Sequence, residues 1–190
     1  MKMAIHAAMI DRLDRELGKV LNQIRKMDAW DSTLILFLSD NGASAEIMVR
    51  DDGHDPNAPP GSAATYLCLG PGWSTTCNTP FRRHKTWVHE GGIATPLIAH
   101  WPNEIKDHGQ ILHQPGHVVD LVPTLFEITG VKDHGAGKEH DPPMRPGRSL
   151  MSAMVGSTQI QPRELWWNHD GNRAIRSCLL YTSPSPRDDR

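Results

Sequence analysis

The sequence predicts an α/β fold, on three features met in chain order. Over residues 5–27, Met9, Leu13, Leu17, Val20 and Ile24 recur three or four apart, with Asp11, Arg12, Arg15, Glu16 and Lys19 between them, which is the period of an amphipathic helix. Asp31-Ser32 is a polar break, and residues 33–38 (Thr-Leu-Ile-Leu-Phe-Leu) then form a continuous apolar run of strand length. Such a run suits a parallel strand covered on both faces. Ser39-Asp40-Asn41-Gly42 ends it at the carboxyl edge, where open α/β sheets place their ligands.

The rest of the chain extends this pattern and then loses it. Residues 43–80 are broken by Pro56, Pro59-Pro60-Gly61 and Gly70-Pro71-Gly72, so no long element is expected there. Loops of that length are usually functional or disordered. Residues 93–101 read as another strand, and 118–128 as a helix entered through Pro123. Glycine, proline and charge dominate 132–148, which marks a connector. Residues 164–169 are expected to begin a strand of a smaller module, and no further strands of that module are expected after it. Residues 178–188 (Cys-Leu-Leu-Tyr-Thr-Ser-Pro-Ser-Pro-Arg-Asp) look like a sequencing adapter translated in frame, the alternative being a natural Ser/Pro-rich tail. The expected division is therefore 1–131 as core, 132–160 as a loop-rich connector, 161–176 as the start of a small subdomain, and 177–190 as a non-native tail.

Composition narrows the function classes. The 20 basic and 22 acidic side chains nearly balance, which leaves no footprint for nucleic acid or an anionic membrane. No apolar run has transmembrane or leader length, and Cys68, Cys77 and Cys178 have no paired metal spacing and indicate no disulfide framework. Oligomeric state is not readable from these features.

Two segments carry chemistry. Asp40 and Asn41 place a carboxylate and an amide oxygen side by side at a strand end, hard ligands suited to calcium or magnesium. Histidine at position 41 would instead suggest zinc. Asn41-Gly42 is also a favoured hairpin turn, although residues 43–46 lack the alternation of a returning strand. The second segment, residues 80–92, packs cations and imidazoles into a short loop before a strand. Lys85 offers three donors to an oxyanion, and His89 can donate to or accept from a leaving oxygen; a solvated surface role is open for each alone.

Other candidates carry less. His113 and His117 have helical metal-pair spacing, but Pro115 and Gly116 between them prevent a shared helix face. Asp51-Asp52-Gly53-His54-Asp55 lacks the downstream glutamate of a calcium loop. Gly70-Pro71-Gly72 is not expected to open a helix and so is not a phosphate cradle.

Read together, Ser-Asp-Asn-Gly (39–42), Asn-Thr-Pro-Phe-Arg (78–82), Lys85, His-Glu-Gly-Gly (89–92), Thr95-Pro96 and His-Trp-Pro (100–102) follow an order that resembles the sulfatase family of the alkaline-phosphatase-like superfamily. The resemblance covers residues 3–176. It implies the C-terminal part of an alkaline-phosphatase-like α/β/α sandwich followed by the start of a small subdomain. It also implies that Asp40 and Asn41 match two calcium ligands and Lys85 the lysine that contacts the sulfate ester, with His89 a weaker catalytic match.

The family nucleophile is a formylglycine made from Cys or Ser in a Cys/Ser-x-Pro-x-Arg motif, beside two further aspartate ligands. Neither Cys68 nor Cys77 is followed by that pattern, so both are expected to be inert and the nucleophile to lie upstream. The implied activity is calcium-assisted hydrolysis of a small-molecule or carbohydrate sulfate ester, in a periplasmic or secreted protein. The rivals are a phosphonate or phosphate ester hydrolase of the same superfamily and a non-catalytic, degenerate domain. The fragment alone is expected to be inactive. Arg173 and Arg176 are expected to pack the subdomain rather than bind substrate.

Overall fold

A computed structural model describes residues 1–47, 54–131, 147–156 and 163–177, and the main chain of Leu180–Thr182. Asp51-Asp52-Gly53, most of the connector, Cys178 and the last eight residues of the expected tail lie outside the described residues.

Helix α1 spans Lys2–Lys26. Its polar face is laced by Asp11–Arg15 (3.0 Å), Arg12–Glu16 (2.9 Å) and Glu16–Lys19 (2.9 Å), exposed pairs that contribute about 0.3–0.5 kcal/mol each. Arg25 and Lys26 in the last turn suit the negative end of the helix dipole. The helix stops where Asp28 turns to φ 53°, and the Arg25 guanidinium lies 3.7 Å from the Trp30 ring, which in turn meets His100 at 4.3 Å. No residue of α1 is buried, and its stripe of Met9, Leu13 and Val20 is exposed. None of the described helices is long and apolar enough to cross a membrane.

Strand β1 (Ile35–Leu38) pairs with β2 (Leu97–His100) from Ile35 opposite His100 to Leu38 opposite Leu97. The pairing is antiparallel, which corrects the expected parallel strand, and Phe37 and Ile98 are exposed rather than covered. A continuous apolar run specifies length and hydrophobicity; direction depends on a partner far along the chain. Between the strands lie α2 (Gly70–Cys77) and the single turn α3 (Glu90–Ile93). Helix α2 corrects the expectation that Gly70-Pro71-Gly72 opens no helix. Pro71 sits in its first turn, where a missing N–H costs nothing, and the hydroxyls of Ser74, Thr75 and Thr76 bond back to the carbonyls of Gly70, Pro71 and Gly72.

A 3-10 turn, Val118–Asp120, leads into α4 (Leu121–Thr129), which ends on Gly130 at φ 66°, the left-handed cap glycine favours. Asp120 is the centre of the packing here. At 1% exposure its carboxylate accepts from the backbone N–H of His117 (2.8 Å) and of Arg148 (2.9 Å) and pairs with the Arg163 guanidinium. Thr124, equally buried, donates to the Asp120 carbonyl and accepts from Leu150 N–H (2.8 Å). The described part of the connector, 147–156 with α5 (Met151–Met154), is therefore fastened to α4 through the buried Leu150.

The last element is a three-stranded antiparallel sheet, β3 (Leu165–His169), β4 (Asn172–Ser177) and β5 (Leu180–Thr182) in that order. This corrects the expectation that no strands follow 164–169. Asp170 (φ 48°) and Gly171 (φ 77°) form the two-residue hairpin turn in which both φ values are positive. Strand β5 falls in the expected tail, and because its pairing is made by main chain, the edge of β4 would accept many sequences. Leu165 and Ala174 bury their side chains.

Candidate active site

The loop leaving β1 is set against the residues before β2 by two main-chain bonds and one side-chain bond. Gly42 N–H donates to the Gly92 carbonyl (2.9 Å), Lys85 N–H to the Ala43 carbonyl (3.0 Å), and Thr95 Oγ1 to the Ser39 carbonyl (2.7 Å). The approach is so close that only glycine fits. A Cβ on Gly42 would lie 1.8 Å from the Gly91 carbonyl oxygen, one on Gly91 2.3 Å from the carbonyl oxygens of Arg82 and Arg83, and one on Gly92 2.0 Å from that of Trp87. Ser-Asp-Asn-Gly and His-Glu-Gly-Gly are thus two sides of a single contact. Arg83 (φ 69°) and Thr86 (φ 90°) flank Lys85 in the left-handed region, which a β-branched residue such as Thr86 rarely adopts. The Arg83 guanidinium rests 4.2 Å from the Trp87 ring.

A cavity of about 1190 Å³ opens beside this contact, with Asp40, Asn41, Lys85, Glu90, His117 and Arg176 in its wall. Three of the four expected site residues, Asp40, Asn41 and Lys85, therefore come together. His89 does not line this cavity: at 8% exposure its ring packs edge-on to Trp87, with centroids 6.0 Å apart. The Lys85 ammonium lies 3.9 Å from Glu46, and both are half-exposed, so that pair is weak and leaves the ammonium open to another anion.

Two residues of the wall were not singled out as site residues by the sequence. Arg176 reaches Glu90 (3.7 Å), joining β4 to the turn next to Lys85, as the packing role expected for it requires. His117 accepts from Val119 N–H through Nδ1 (3.2 Å) and lies 6.1 Å from the Trp167 ring. Burial pushes its pKa below the ordinary 6.5; the nearby Asp120 carboxylate opposes that shift and the Arg163 guanidinium adds to it.

The donor set at Asp40 and Asn41 is carboxylate plus amide oxygen, which fits a hard divalent cation. Among the described residues no group of three or more His, Cys, Asp or Glu side chains stands ready for a metal, so Asp40 and Asn41 do not by themselves complete a ligand set. Cys68 and Cys77 are reduced cysteines outside the cavity wall.

The sulfatase family model matches residues 2–131. The chain belongs to the sulfatase family. Among its relatives, an arylsulfatase of Klebsiella aerogenes is 31% identical over 140 residues, which is 68% of this chain and 30% of that protein. An N-acetylgalactosamine-6-sulfatase of Mus musculus is 32% identical over 123 residues, 65% of this chain and 19% of that protein. The crystal structure of Ps i-CgsB in complex with k-i-k-neocarrahexaose superposes with a TM-score of 0.62 at 24% identity, over 90% of this chain and 32% of that one. With the family match, this places the chain in the alkaline-phosphatase-like α/β fold expected from the motif order. The chain spans less than a third of each of these proteins.

Proposed function

We propose that the whole protein hydrolyses sulfate esters, and that this sulfatase-family chain supplies the Asp40–Asn41 part of a calcium site and the Lys85 anion contact. The observation that carries the reading is the convergence of Asp40, Asn41 and Lys85 on one cavity, across a contact built from glycine main chain. Asp40 and Asn41 would hold the cation through oxygen, and a bound calcium would supply Lewis-acid polarisation of the sulfate oxygens. The Lys85 ammonium, a compact charge on a constrained loop, holds a sulfate oxygen and stabilises negative charge as the S–O bond breaks. The nucleophile is expected from the formylglycine motif, which these residues do not contain.

The substrate class we favour is a carbohydrate sulfate. Trp101 and Trp167 in the cavity wall offer faces on which sugar rings can stack. Relatives named arylsulfatase and N-acetylgalactosamine-6-sulfatase bracket the two leaving-group classes.

The test is turnover by the full-length protein of paired sulfate and phosphate esters, aryl and saccharide, with calcium and after chelation. Sulfate turnover that chelation abolishes is the expected result. Faster turnover of the phosphate partner would move the protein to the phosphoesterase branch of the superfamily, and no turnover of any ester would favour a non-catalytic domain.

A further inference from the structure

Asn78 follows α2, and its own N–H closes that helix on the carbonyls of Ser74 (3.1 Å) and Thr75 (3.2 Å). Its side-chain amide is used at both ends. Oδ1 accepts from the N–H of Ala43 (3.0 Å), and Nδ2 donates to the carbonyl of Arg83 (3.1 Å). Ala43 is two residues beyond Asn41, and Arg83 two residues before Lys85. The Ala43 carbonyl in turn accepts from Lys85 N–H (3.0 Å), so Asn78, the Asp40–Asn41 loop and the Lys85 loop close into one ring of hydrogen bonds. Asn78 itself does not line the cavity.

We propose that Asn78 is a positioning residue: its amide clamps the Asp40–Asn41 loop to the Lys85 loop and thereby fixes the separation between the cation ligands and the ammonium. The amide suits this task because it offers an acceptor and a donor on one short, planar group. Aspartate at this position would keep the acceptor for Ala43 but turn a second oxygen toward the Arg83 carbonyl. Glycine main chain holds the far side of the same contact, at Gly42 and Gly92, so the clamp and the glycines restrain the loop from two directions. The inference rests on the site proposed above.

The experiment combines amide hydrogen exchange, read on peptides covering Ala43 and Lys85 in the full-length protein without substrate, with steady-state kinetics on a sulfate ester. In Asn78→Ala, exchange at Ala43 and Lys85 should quicken at least about tenfold while α1 and β4 keep their rates, and kcat/KM should fall about ten- to a hundredfold. In Asn78→Asp, Ala43 should remain protected while kcat/KM still falls. Unchanged exchange at both amides in Asn78→Ala, or quickening spread equally through α1 and β4, would overturn the clamp. So would an Asn78→Asp protein with wild-type kcat/KM, which also decides the matter if Asn78→Ala fails to fold. A wild-type protein that turns over no sulfate ester would sink the sulfatase reading instead, and the exchange pattern would still decide the clamp.

Discussion

Substituting Gly42 by alanine tests whether the glycine contact sets the geometry of the site. The new Cβ would begin 1.8 Å from the Gly91 carbonyl oxygen, and real Cβ atoms essentially never come within 3.0 Å of such an atom. The loop or the turn must therefore shift by about 1.2 Å, and the atom in the way is backbone, which cannot rotate aside. A misplacement of about 1 Å between groups that act on one substrate can cost a hundredfold in rate, roughly 2.7 kcal/mol of transition-state stabilisation. The assay is kcat/KM for a sulfate ester in the full-length protein, with Gly18→Ala as the control. Gly18 lies on the open surface of α1 with nothing within 4 Å of its Cβ, so alanine there should leave turnover alone and stabilise the helix by about 0.5–1 kcal/mol. Wild-type kcat/KM in Gly42→Ala would refute the idea that this close approach holds Asp40 and Asn41 in register with Lys85.

Four further outcomes are expected. Asp40→Ala should abolish turnover and weaken calcium binding in titration calorimetry, since the site loses a charge and an oxygen ligand; unchanged affinity would remove Asp40 from the ligand set. Lys85→Ala should lower kcat/KM by about a hundred- to a thousandfold with its thermal transition in place, and a collapsed transition would mean a structural lysine. Asp120→Ala leaves the largely covered Arg163 guanidinium without its carboxylate and two N–H groups without an acceptor, so urea unfolding should report a loss of about 3 kcal/mol. His117 resists protonation in the folded state, whereas the unfolded chain takes up the proton near pH 6.5. Its contribution is therefore intact above that pH and is lost as pH falls below it, and His117→Asn should flatten the difference between urea midpoints at about pH 7.5 and about pH 5.5.

Parts of the fold could be read directly from the sequence and parts could not, for identifiable reasons. The 3.6-residue period of Met9, Leu13, Leu17, Val20 and Ile24 appears as α1, because a period is a local property. Helix α2 was hidden by Gly70-Pro71-Gly72, breakers inside a helix but acceptable in its first turn. The hairpin of β3 and β4 carried a local signal in Asp170-Gly171, a favoured pair for a two-residue turn. Asn78 was visible only as a letter in Asn-Thr-Pro-Phe-Arg; its two partners lie in different loops, and nothing about its neighbours in sequence names them.

By itself, the sequence determined the chemistry that is available: oxygen donors at Asp40 and Asn41, an ammonium at Lys85, and the order of motifs that marks a sulfatase. These are properties of residue types and their succession, and they survive without knowledge of any contact. Tertiary structure decided the antiparallel pairing of β1 with β2, the position of His89 against Trp87 rather than in the cavity wall, and the arginines that fasten the final sheet to the core. Each depends on which distant backbones approach one another. At Gly42, Gly91 and Gly92 that approach is tight enough to exclude every side chain, and it brings two separated motifs together as one site.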